Sequence, residues 1–116
     1  MKNNGETLHI LWTNDNVLTT RLMVFMYATN SLRQGWWDEV HVMAWGPTVK
    51  LLAENETVQQ QLKAFLDAGG HVSACKSCAE DLNVLDKLEA LGGIEILYIS
   101  EDFTRIIKDG EKLITI

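Results

Sequence analysis

Short apolar runs alternate with longer helix-like segments along this chain, and that alternation constrains the fold more than any single residue does. Thr7-Leu8-His9-Ile10-Leu11-Trp12 reads as a first strand and Val40-His41-Val42-Met43-Ala44-Trp45 as a second. His71-Val72-Ser73-Ala74-Cys75, Ile94-Glu95-Ile96-Leu97-Tyr98-Ile99 and Lys112-Leu113-Ile114-Thr115-Ile116 read as the remaining three. Between them, residues 17–34 read as a long helix with Leu18, Leu22, Phe25, Thr29 and Leu32 in one stripe, widened by Val17, Val24, Met26 and Ala28 and stopped by Gly35. Pro47 suits the first turn of a short helix over 47–53. A second helix over 56–67 has rival caps in Asn55 and in a Thr57–Gln60 capping box. Residues 79–91 read as helical with a break near Leu82 and Asn83, and Ser100 is expected to cap a helix over 101–108. Strands spaced by helices imply βαβ units with right-handed crossovers. The expected fold is α/β: a three-layer α/β/α sandwich on a mostly parallel five-stranded sheet. The length of 116 residues fits a single domain over 1–116.

In such sheets, ligands bind beyond the carboxyl ends of the strands. The loops expected at that rim are 13–16, Gly46-Pro47, Cys75-Lys76-Ser77-Cys78 and 99–101. The two cysteines of the chain therefore lie together, at a strand-to-helix turn. Backbone N–H groups at a helix start stabilise a thiolate, so this is where a thiol is most readily made reactive. Four chemistries compete there: a persulfide carrier, a thiol–disulfide switch, half of a zinc site, and inert buried cysteines. Zinc needs two further ligands. The three histidines are His9, His41 and His71. His71 starts the strand that ends in Cys75, roughly 13 Å away, and the other two are mid-strand, roughly 10 Å or more from the rim. None readily reaches a metal at Cys75, so no metal and no cofactor is expected; the histidines read as half-buried strand residues or subunit contacts. A thioredoxin-like switch would follow the first strand of its unit and use a later cis-proline, whereas this motif follows the third strand and the single proline is the upstream Pro47. A carrier needs one accessible, low-pKa thiol, for which Cys75 is the better placed. Lys76 would add positive charge there, and Glu80 and Asp81 would oppose it. Cys78 would be a resolving thiol, a second acceptor or a small buried residue.

A net charge of −6, with the basic residues spread out, argues against nucleic acid and anionic membranes as partners. The start of the chain is polar and lacks a signal-peptide core, and no stretch is apolar enough to span a membrane, so the cytoplasm is the expected location. In that reducing setting a C-x-x-C is more often catalytic, redox-active or metal-binding than a structural disulfide. Asn55-Glu56-Thr57 matches a glycosylation sequon but reads better as a cap. Asn14, Asp15 and Asn16 are either helix-capping residues or one wall of a cysteine pocket. Trp45 and Gly46 face the same rim, Trp45 as a packing or interface residue. Adjacent Trp36 and Trp37 point to opposite sides, so one is expected exposed or in a subunit contact. With the broad apolar surface of the long helix, this points to a homo-oligomer.

Several segments together resemble the DsrE/DsrF-like family of small sulfur-relay proteins. They are the first strand with its polar loop, Ala44-Trp45-Gly46 followed by Val49-Lys50-Leu51-Leu52, Gly70-His71-Val72-Ser73-Ala74-Cys75, Leu91-Gly92-Gly93 and the terminal strand. The resemblance covers nearly the whole chain. It implies an α/β/α sandwich, assembly as trimers or hexamers, and a persulfide-bearing cysteine after the third strand, the position of Cys75. A protein sulfur donor or acceptor would be the partner. The second class of function is a non-enzymatic oligomeric interaction module whose cysteines pack or act as a redox switch.

Overall fold

The computed structural model describes residues 6–116; the polar start over residues 1–5, read above as lacking a signal peptide, lies outside the described residues. Five strands, β1 (Thr7–Trp12), β2 (Glu39–Ala44), β3 (His71–Cys75), β4 (Glu95–Leu97) and β5 (Lys112–Thr115), form one sheet in the order β4-β3-β2-β1-β5. Every pairing is parallel, so the expected mostly parallel sheet is wholly parallel. The steps from β1 to β4 march in one direction, and the last connection returns to the far side of β1. Right-handed crossovers then put the earlier helices on one face and the last helix on the other.

Alternate strand residues face opposite layers. Ile10, Trp12, Val42 and Ala74 belong to the larger layer, under α1 (Val17–Thr19), a π-helical turn (Thr20–Phe25), α2 (Met26–Arg33), α3 (Pro47–Glu54) and α4 (Glu56–Asp67). Its centre is a run of edge-to-face rings, Trp12 to Phe25 at 5.2 Å and Phe25 to Phe65 at 6.0 Å. Gly70 is required here by close approach, because a Cβ would run into the buried Phe65 ring. The chain after β3 forms α5 (Lys76–Asp81) and α6 (Leu85–Leu91), and Asn83, at φ 58°, supplies the break expected near that position. The opposite layer is α7 (Ile99–Lys108), which buries Ile99 and Ile106 and sets Phe103 edge-on to Trp45 at 5.3 Å.

Local details depart from the sequence reading for identifiable reasons. Leu18 and Leu22, read as one apolar stripe with Phe25 and Thr29, are 60% and 55% exposed, whereas Phe25 and Thr29 are buried. The π-helical turn shifts the phase, and Thr20, Val24, Phe25 and Ala28 take the inner face. Asn55, not the Thr57–Gln60 box, caps α4 by accepting the Val58 N–H at 3.0 Å. Ser100 does not cap α7, which begins two residues earlier than expected, with Tyr98 at the cap making no side-chain bond. β4 is shorter than the apolar run suggested, and helix resumes directly at Lys76 rather than at Ala79. Among the described residues no helix is long and apolar enough to cross a membrane.

Candidate functional site

Cys75 is the last residue of β3 and the N-cap of α5, with φ −68° and ψ 114°. Its Sγ accepts the Cys78 backbone N–H at 3.4 Å and lies 3.7 Å from Ser77 Oγ. A hydrogen bond to the charged form of a group favours that form. Both thiols are free; Cys75 is 3% exposed and Cys78 half-buried. The Cys78 thiol is pushed up, first by burial and then by its hydrogen bond to Cys75, while a backbone hydrogen bond from Gly46 works the other way. Gly46 adopts φ 75° and ψ −134°, a conformation that a side chain would strain.

The other residues expected around the cysteines do different work. Asp15 lines an open cavity of about 450 Å³ with Pro47, Lys50, Glu54 and Leu82, and neither cysteine lines it. Asn14 holds the loop: its Oδ1 accepts the Asn16 N–H at 2.9 Å, and its carbonyl accepts Trp12 Nε1–H at 3.1 Å. Asn16 caps α1. Trp45 packs on Phe103, as its packing role required. The Lys76 ammonium lies 5.5 Å over the Tyr98 ring, whose hydroxyl donates to Glu80 at 3.3 Å. Of the pocket residues named from the sequence, Gly46 alone has a hydrogen bond to a cysteine.

A second polar cluster was not anticipated. Parallel register aligns His9 with His41 and His41 with His71. The ring centroids are 5.1 Å and 5.2 Å apart, on the face that α7 covers. His9 and His41 are buried, and His41 is lowered to about 4, chiefly by burial and then by His9 and His71. The signal was present in the sequence: each histidine stands three residues before the register-matched set Trp12, Ala44 and Ala74. Among the described residues, no group of three His, Cys, Asp or Glu side chains is arranged to hold a metal ion.

No protein-family model matches the chain, and no curated protein matches it. Among solved structures, a conserved protein of unknown function from Bacteroides thetaiotaomicron, BT1422, is 38% identical, with a TM-score of 0.92 over 100% of this chain and 98% of that one. The chain belongs to the family of that protein. Two more distant structures share the fold at 15% identity, and each alignment covers 96% of this chain and 99% of the other. They are the ychN protein from E. coli, at a TM-score of 0.73, and a protein of unknown function, MTH1491, from Methanobacterium thermoautotrophicum, at 0.77. At that identity the likeness concerns the fold alone.

Proposed function

We propose that this protein is a DsrE/DsrF-like sulfur-relay protein of the cytoplasm, carrying sulfane sulfur as a persulfide on Cys75. The observation that carries the reading is the asymmetry of the cysteine pair. Cys75 accepts a backbone N–H at the strand end, while Cys78 is pushed toward the protonated form. The Cys75 thiolate would attack the outer sulfur of a persulfide donor, R–S–S–H. A bond from Cys75 Sγ to that sulfur forms, the donor S–S bond breaks, and R–S⁻ leaves with the electron pair. The outer sulfur keeps its proton, and no external oxidant is needed. The fold shared with the ychN protein supports the reading at the level of architecture.

The test is intact mass after incubation with a low-molecular-weight persulfide. The expected result is a gain of one sulfur atom, lost in Cys75→Ser and kept in Cys78→Ser. No adduct, with both thiols resistant to alkylation in the folded protein, would instead support the packing role that the burial of Cys75 favours.

The same reading includes self-association into a trimer or hexamer. Leu18, Leu22 and Met26 are 60%, 55% and 48% exposed at four-residue spacing, on a helix whose opposite face is already buried. Leu22→Glu is expected to shift the protein to a monomer in sedimentation equilibrium. An unchanged mass, or a monomeric wild-type protein, would remove this face as the interface.

A further inference from the structure

Hydrogen bonds of 2.7, 2.8 and 2.7 Å join Glu111 to His9, His9 to His41 and His41 to Ser73, apart from the cysteine pair. Their directions follow from chemistry. Arg105 Nη1 donates to Glu111 Oε2 at 2.7 Å, so Glu111 is a carboxylate that only accepts. His9 must then carry its proton on Nε2 and present a lone pair at Nδ1. His41 must donate from Nδ1, leaving Nε2 to accept the Ser73 hydroxyl. All four ring nitrogens are used, with both rings neutral.

One added proton can be absorbed, at His41 Nε2, if Ser73 turns to accept. A second cannot, because both facing Nδ1 atoms would bear hydrogens at 2.8 Å. The rings have little contact with bulk water, since His9 is 5% and His41 9% exposed. The groups around the pair are His71 from β3, Glu39 from β2, Glu95 from β4, Asp102 and Arg105 from α7, and Glu111 before β5; all line one cavity of about 300 Å³. On β1 the cavity is lined by the uncharged Thr7, and Lys112 of β5 pairs with Leu8, on the opposite face from His9. Glu111 joins α7 to β5, and β5 is an edge strand bonded to β1 alone. Its carboxylate is thus the polar anchor between this last helix–strand unit and the histidines.

The geometry points to a proton-linked clasp: the Glu111–His9–His41–Ser73 chain holds the α7–β5 unit on the sheet, and acid opens that unit while the rest of the domain stays folded. Opening would bare the sheet face that carries Met43, Ser73 and Cys75, whatever chemistry Cys75 performs. Burial first, then His9 and His71, lowers His41 from 6.5 to about 4. A ring released to water returns to its ordinary value, so opening takes up a proton between pH 6.5 and about 4 and is favoured as pH falls through that window. Between pH 7 and pH 5 the open population should rise roughly 20-fold.

Hydrogen exchange read by mass spectrometry and corrected for intrinsic rates tests this. The amides of α7 and β5 should exchange through an opening of lower free energy than those of α4 and β2, and should lose protection roughly 20-fold from pH 7 to pH 5. His41→Gln, which can still donate to His9 and accept from Ser73, should remove the pH response. Equal protection in every element, or no pH response in α7 and β5, would overturn the clasp. NMR titration of the wild-type imidazoles serves even if the variant does not fold. His41 should hold its proton on Nδ1 at neutral pH and titrate together with the loss of protection. An ordinary midpoint with unchanged protection would also overturn it.

Discussion

Replacing Trp12 with alanine is expected to lower the free energy of unfolding by about 3–5 kcal/mol. The side chain is 0% exposed and stands edge-on to Phe25 at 5.2 Å, which in turn packs on Phe65. The cavity would therefore open where the sheet meets the larger helical layer, with rigid aromatic walls that collapse poorly. The indole also ties the core to the rim. Its Nε1–H donates to the Asn14 carbonyl at 3.1 Å and to Thr20 Oγ1 at 3.1 Å. Losing that donor loosens the loop before α1 as well as the core. Domains of this size are stable by about 5–15 kcal/mol, so the substitution would remove a third or more of a mid-range value. Equilibrium urea unfolding measures it, and Trp12→Phe separates the parts. Phenylalanine keeps most of the ring but not the donor, and should cost about 1–3 kcal/mol. A loss below about 1 kcal/mol for Trp12→Ala would contradict the packing described.

The sheet was legible in the sequence because its evidence is local. Apolar runs bounded by Gly46-Pro47, Gly69-Gly70 and Gly92-Gly93 mark strand and helix ends wherever they stand, and the five strands lie where the runs predicted. The rim position of Cys75 followed from the same evidence. Its burial did not, since it depends on packing that no segment carries by itself. The parting of Leu18 and Leu22 from the buried Phe25 and Thr29 was hidden for a related reason: a π-helical turn has no marker in Thr20-Arg21-Leu22-Met23-Val24-Phe25. Lys76 is placed beside the cysteines by the sequence and Trp45 by its position at the rim, but Tyr98 and Phe103, distant in sequence from each, are the rings they meet. The histidine row was missed because strand register is non-local. A one-residue slip of any strand would turn its histidine to the other layer.

Acid is expected to destabilise the fold by about 3 kcal/mol through His41 alone. Its pKa in the folded protein is about 4 against an ordinary 6.5, because burial penalises the imidazolium and His9 and His71 add repulsion when charged. The unfolded chain therefore binds the proton first. The contribution is complete above pH 6.5, declines as pH falls toward about 4, and changes no further below that. Glu111 acts in the same sense at lower pH. Its hydrogen bonds from His9 and then Arg105 hold the carboxyl below its ordinary range, and that stability goes as it is protonated. The two steps overlap little, so urea midpoints taken from pH 7 down to pH 4.5 isolate the histidine. The wild-type protein should lose most of the 3 kcal/mol or so in that interval, whereas His41→Gln should lose far less. A variant whose stability falls as steeply as the wild type's would place the acid sensitivity elsewhere. The row of imidazoles would then be a packing feature, because an uncharged and fully bonded ladder needs no titration to hold β1, β2 and β3 in register.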